Sequence, residues 1–302
     1  MEENQKLKGL VAATFTPMDT KGEINLSVID SYAEFMFRSG LAGVFICGTT
    51  GESASLTEEE RKSIASTWIR AVKGKIKIIV HVGHNSQKAA MELARHACEI
   101  GADGIAAIAP NFFKPGTVKD MIDFFAPIAA SAEKLPFYYY HMPAMAGVNL
   151  SAVDFLSEGK KLIPNLKGIK YTHNNLMEMA QCIHIDNGAF EVFHGYDETL
   201  ITGLALGAVA GVGSTYNYLY KVYLGIMEAF NNGDIEKARK LQMLSIEIVS
   251  IINKYGGGVR GGKAIMNLLN IECGPCRLPI APFSEEEYNL LKEDLNKVGF
   301  FA

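Results

Sequence analysis

Eight short apolar runs, each followed by a segment of helical periodicity, constrain this chain more than any other feature. The runs are residues 10–14, 43–47, 76–82, 104–108, 136–140, 166–170, 190–194 and 208–212. Strands this uniformly apolar belong to a parallel sheet covered by helices, because a sheet with one wet face would alternate polar and apolar side chains. Helix signals fall between them. Ile29, Tyr32, Ala33 and Met36 recur at helical spacing, Thr57 and Glu60 have the Thr-x-x-Glu form of a capping box, and Gly74 and Gly101 stand where helices should stop. Eight such units in about 215 residues match a (β/α)8 TIM barrel. A doubly wound open sheet is the competing architecture, but no Gly-x-Gly-x-x-Gly opens a helix.

After Val212 the pattern becomes purely helical, over about 218–231, 235–254, 261–269 and 284–298. No Pro/Ser-rich linker sets this tail apart. The reading is therefore a catalytic barrel over residues 1–216, with C-terminal helices over 217–302 comprising the last barrel helix and a short appended subdomain.

Charge and composition exclude several function classes. A net charge of −4, from 29 basic and 33 acidic residues without a basic tract, argues against nucleic acid as a partner. No uncharged apolar stretch approaches the roughly 18 residues that span a bilayer, and the polar start at Met1–Lys8 lacks the apolar core of a secretory signal. Five cysteines, an odd and sparse count, suit a reducing compartment and a cytoplasmic protein. Cys273-Gly274-Pro275-Cys276 has the spacing of a redox motif. Without a preceding strand or a helix opening at the first cysteine, it reads as a loop.

In a barrel of this kind the active site sits at the C-terminal ends of the strands. Lys170 ends the sixth run. An ammonium at the inward tip of a strand is poorly solvated, gives up its proton more readily, and the free amine attacks carbonyl carbon. Taken alone, an exposed lysine just past a strand is the simpler explanation. Tyr140 ends the fifth run, next to Lys170 if the strands follow chain order, and could move protons for the amine or its adduct. Gly48-Thr49-Thr50-Gly51-Glu52 follows the second run, where turned-in backbone N–H groups and two hydroxyls suit a carboxylate or phosphate. His81, His84, His141, His173 and His194 also fall near strand ends, so a metal enzyme is the rival reading. It is weakened by the first strand end, Thr14-Phe15-Thr16, which has no His-x-His pair, and by the poor placement of acidic ligands.

Four motifs, in order, carry a resemblance over nearly the whole length: Gly48-Thr49-Thr50-Gly51-Glu52, Tyr140-His141-Met142-Pro143, Gly168-Ile169-Lys170 and Gly195-Tyr196-Asp197-Glu198. The chain resembles the dihydrodipicolinate synthase/N-acetylneuraminate lyase superfamily. That resemblance implies a class I aldolase with no cofactor beyond the covalent Schiff base on Lys170, and with no metal. It implies that Thr49 and Thr50 hold a pyruvoyl carboxylate, that Tyr140 shuttles the proton, and that Thr172, Gly195, Asp197, Glu198 and Ser214 bind the rest of the substrate. A homotetramer is implied as well.

Within the superfamily, three places point to the sugar-cleaving members. The segment Pro143–Gly147 has Met145 where the synthases carry a carboxylate-gripping arginine. Phe112-Phe113 replaces the synthases' tyrosine pair, leaving open what completes a proton relay beyond Tyr140. Asp197-Glu198 suits a polyhydroxylated partner, whose hydroxyls need acceptors when buried. The implied reaction is reversible cleavage of N-acetylneuraminate, a sialic acid, to N-acetylmannosamine and pyruvate. The alternatives are a related pyruvate-dependent aldolase (dihydrodipicolinate synthase or a keto-deoxy sugar acid aldolase), a metal enzyme, and a non-catalytic sensor.

Overall fold

The computed structural model describes residues 6–301; Met1–Gln5 of the polar start, and Ala302, lie outside it. Eight parallel strands close in chain order, β1 pairing with both β2 and β8. They are β1 (Gly9–Ala13), β2 (Gly43–Ile46), β3 (Lys77–His81), β4 (Gly104–Ile108), β5 (Phe137–His141), β6 (Leu166–Tyr171), β7 (Glu191–His194) and β8 (Ala210–Gly213). Around them run α1 (Ile29–Arg38), α2 (Glu58–Val72), α3 (Gln87–Ile100), α4 (Val118–Ala130), α5 (Pro143–Ala146), α6 (Ala152–Leu162), α7 (Leu176–Gly188), α8 (Leu200–Leu206) and α9 (Tyr216–Asn231). Then come α10 (Ile235–Lys254), α11 (Gly257–Leu268) and α12 (Glu285–Lys297). This is a TIM barrel with C-terminal helices.

Local signals act as physical chemistry dictates. Thr57 accepts from the Glu60 N–H while Glu60 accepts from the Thr57 N–H, so two otherwise orphaned donors at the start of α2 are satisfied. Gly101 ends α3 in the left-handed conformation. The Cys273–Cys276 segment is a loop, and all five cysteines are free. No helix among the described residues is long and apolar enough to cross a membrane.

Two apolar layers separate cleanly on β5. Phe137 and Tyr139 point outward and pack with Phe125 and Phe155 beneath the helices. Tyr138 and Tyr140 point into the barrel with Phe45, Ile79 and Phe193. The β5–β6 register carries an irregularity that matters for the site. Phe137 pairs with Leu166 but Tyr138 pairs with Gly168, so Lys167 is an extra residue on β6. Partners across parallel strands share a face. Had the Phe137–Leu166 register continued unbroken, Ile169 would stand opposite Tyr140; after the shift, Lys170 does.

Candidate active site

The C-terminal strand ends surround a cavity of about 290 Å³. A larger one, about 650 Å³, opens at the other end among the strand starts, where Lys77, Lys167 and Glu191 line it. Every one of the nine residues anticipated from sequence as catalytic or substrate-binding lines the smaller cavity.

Lys170 and Tyr140 are register partners at its floor. Lys170 is 5% exposed, and its nitrogen lies 4.0 Å from the centroid of the Tyr140 ring. The Tyr140 hydroxyl lies 3.4 Å from the Thr49 hydroxyl and donates to the Met142 sulfur at 2.9 Å. The Thr49 hydroxyl is thus the neighbour of the tyrosine hydroxyl in this cavity.

The loop carrying Thr49 and Thr50 is held on all sides. Cys47 and Glu52 flank it in the left-handed region, at φ 55° and 56°, conformations that a non-glycine residue keeps only when its surroundings enforce them. Thr16 donates to the Gly51 carbonyl at 2.8 Å, and the Ser53 N–H bonds the Gly48 carbonyl. Glu52 itself turns away from the cavity. Its carboxylate is buried against Lys263 of α11 at 2.8 Å and accepts from the Arg277 N–H at 2.8 Å.

Across the cavity, Asp197 accepts from the Thr215 N–H and hydroxyl at 2.8 and 2.7 Å. Burial pushes its carboxyl up; the two Thr215 hydrogen bonds pull it down less strongly, and the result is about 6. Two glycines make the room. A Cβ on Gly213 would fall 1.6 Å from the Asp197 Oδ1, and one on Gly195 would fall 2.0 Å from the Thr172 hydroxyl. That Thr172 hydroxyl is buried and has no hydrogen-bond partner among the described residues, so it is available to a ligand.

Several wall residues were missed in the sequence. Met142 lines the cavity, whereas Met145, three residues on, is 56% exposed and does not. Met145, in the segment that lacks an arginine, is carried outward by α5. Tyr196, Thr215 and Tyr218 also line the cavity, as do Ile252 and Asn253 of α10 and Val259 of α11. Met142 and Tyr196 sit inside motifs already noted, and Thr215 follows Ser214. The helical residues carry no local sign, since their periodicity is that of any amphipathic helix.

The histidines do not gather at the cavity; among the described residues only His141 and His173 are neighbours, with ring centroids 5.6 Å apart. His81 is buried between strands: the Ile108 N–H donates to its Nε2, which leaves Nδ1–H to donate to the Cys47 carbonyl at 3.0 Å. His141 points outward and stacks on Tyr171, and His194 contacts Thr199 and the Met179 sulfur. Burial holds His141 down near 3 and His194 near 4, so both are neutral imidazoles. His84 is exposed. Among the described residues no three His, Cys, Asp or Glu side chains are arranged to hold a metal ion.

Residues 6–298 match the dihydrodipicolinate synthetase family. The chain belongs to that family. It is 43% identical to an N-acetylneuraminate lyase from Gallus gallus, over 99% of this chain and 98% of that one. Among solved structures, N-acetylneuraminate lyase from Aliivibrio salmonicida is 41% identical with a TM-score of 0.95, covering 98% of both chains. The Proteus mirabilis N-acetylneuraminate lyase is 37% identical, also at 0.95, covering 98% of this chain and 100% of that one.

Proposed function

We propose that this family member is a class I aldolase that reversibly cleaves N-acetylneuraminate to N-acetylmannosamine and pyruvate. The pairing of Lys170 with Tyr140 on neighbouring strands, at the floor of a cavity walled by Thr49, Thr50 and Asp197, carries the reading. Lysine attacks a ketone; two hydroxyls suit the carboxylate beside it; a buried carboxylate suits a polyol.

In this reading Lys170 adds to the C2 ketone of the open-chain sugar and, with loss of water, forms an iminium that draws electrons. Tyr140 takes the C4 hydroxyl proton as the C3–C4 bond breaks, and the bonding pair becomes the enamine double bond. Thr49 is the onward hydroxyl for that proton. The enamine is then protonated, and water releases pyruvate. Thr49 and Thr50 hold the carboxylate, while Thr172, Gly195, Asp197, Glu198 and Ser214 position the sugar chain. The chemistry as written calls on no cofactor beyond the lysine adduct.

The chain works, in this proposal, as a cytoplasmic homotetramer in sialic acid catabolism. Exposure of the adjacent rings of Phe112 and Phe113, at 75% and 85%, supports an assembled state, since paired apolar rings in water mark a contact surface. The names of the similar proteins favour the sugar over aspartate semialdehyde as the aldehyde partner. Assaying both settles the choice: pyruvate release from N-acetylneuraminate is expected, and condensation of pyruvate with aspartate semialdehyde in its place would overturn it.

A further inference from the structure

Among the described residues the Lys170 side-chain nitrogen enters no ion pair and no hydrogen bond. Two ring faces take the place of a counter-ion: Tyr140 at 4.0 Å and Phe45 at 4.5 Å from its nitrogen, centroid distances within cation–π range. Tyr140 already has a role through its hydroxyl. Phe45 has none, and it is held as firmly as any side chain near the site.

Its place follows from β2. Val44 and Ile46 face the helices while Phe45 faces the barrel, fully buried. Its ring stands edge-on to Tyr140 at 5.8 Å and 74° and lies 6.0 Å from the His81 ring. The His81 hydrogen bonds to Cys47 and Ile108 stop that imidazole from moving. On its other edge lies Gly48, where a Cβ would come within 2.7 Å of the Phe45 Cε1. The glycine that opens the Thr49-Thr50 loop is thus also what admits this ring.

We propose that Phe45 is a catalytic residue, its ring face serving as partner to the Lys170 nitrogen whenever that nitrogen is positive. The inference rests on the Schiff-base reading. In forming the iminium, the nitrogen lone pair makes the bond to C2, and the ketone oxygen leaves as water after gaining two protons. One of these comes from the amine itself and one from solution, and nitrogen keeps a positive charge. On C–C cleavage the C3–C4 pair becomes the C2=C3 bond, the C=N pair returns to nitrogen, and the charge disappears. A ring quadrupole favours the charged states over the neutral amine and the enamine. It therefore raises iminium occupancy where the resting lysine is neutral, and not where the resting lysine is an ammonium, because two cations are then stabilised alike.

That asymmetry separates the proposal from a packing role. The titratable groups around the nitrogen are Tyr140 of β5, His81 of β3, Tyr196, Asp197 and Glu198 beyond β7, and Tyr218 of α9, and none of them is altered by the variants. Phenylalanine analogues carrying one to three ring fluorines, introduced at position 45 by amber suppression, weaken the quadrupole at nearly constant shape. Pyruvate is trapped with cyanoborohydride in steps from pH 6 to pH 11, and adduct is read by intact mass. Successive fluorination should lower trapping on the alkaline plateau of that profile, with Phe45→Leu roughly 3- to 30-fold below the parent, and leave pH 6 little changed. Equal trapping across the series on the plateau, or equal loss at every pH, overturns the role for Phe45. Failure of the unsubstituted chain to trap pyruvate anywhere overturns the Schiff-base reading instead.

Discussion

Lys263 and Glu52 lie 211 residues apart in sequence, yet their charged groups meet at 2.8 Å with both side chains 1% exposed. The pair ties the loop that carries Thr49 and Thr50 to α11, a helix beyond the barrel. The Arg277 N–H takes the second oxygen of Glu52, and the Arg277 guanidinium bonds Glu60 of α2, which binds the C-terminal segment to the same place. Removing one member of a buried pair strands the other charge in a dry site, which typically costs about 3–5 kcal/mol.

Lys263→Met is accordingly expected to lower the denaturation midpoint sharply and to raise KM for the keto acid through the loosened loop. Glu52→Gln combined with Lys263→Met should recover part of the midpoint, since no charge is then stranded. Denaturant titration of the single and double variants checks it; a single variant as stable as the parent would contradict the coupling.

Asp197 gives a pH dependence with a definite sign. Its carboxyl, pushed up to about 6, titrates above the roughly 4 of an unfolded chain. The neutral form thus adds stability that is complete below about pH 4 and is lost as the pH rises through about 6. Asp197→Asn should stabilise the fold at pH 8 by on the order of 2 kcal/mol and leave pH 4 unchanged. Sugar binding runs the other way: ionised Asp197 accepts hydroxyl hydrogen bonds, so KM of the parent should rise as pH falls through 6. A KM profile for Asp197→Asn with the same inflection would assign it to another group.

Gly213 is tested by geometry alone. Since a Cβ there meets the Asp197 Oδ1 at 1.6 Å, Gly213→Ala must displace the carboxylate and break its bonds to Thr215. KM for the sugar should rise at least ~10-fold, the effect of losing about 1.4 kcal/mol of binding, while pyruvate trapping persists. Unchanged KM would mean that Asp197 does not touch the sugar.

Tyr140→Phe removes the hydroxyl beside Thr49 and Met142 but keeps the ring over Lys170. Cleavage should fall by roughly 10²- to 10⁴-fold, the usual span for a lost general base. Trapping of pyruvate should survive. A rate within a few-fold of the parent would move the proton shuttle elsewhere.

What could be read from sequence, and what could not, follows the range of the interactions. The strand at Gly104–Ile108 and the helix at Ile235–Lys254 fall where their patterns put them, because periodicity and flanking breakers act within a few residues. The capping box at Thr57 is equally local. The extra residue at Lys167 was invisible, since a bulge exists only relative to the partner strand. So were Glu52–Lys263 and the Ile252, Asn253 and Val259 wall, which depend on how the C-terminal helices pack back over the barrel mouth. That Met145 stands outside the cavity was equally invisible, because it depends on how α5 turns. Phe45 read as an ordinary strand residue; only the register of four strands gives its ring a charge to face.

The central claim is that Lys170 forms the covalent adduct. Incubation with pyruvate and borohydride, digestion, and peptide mass mapping tests it directly. A single reduced pyruvoyl adduct on Lys170, lost in Lys170→Ala, is the expected result. An adduct on another lysine, or none at all, would contradict it.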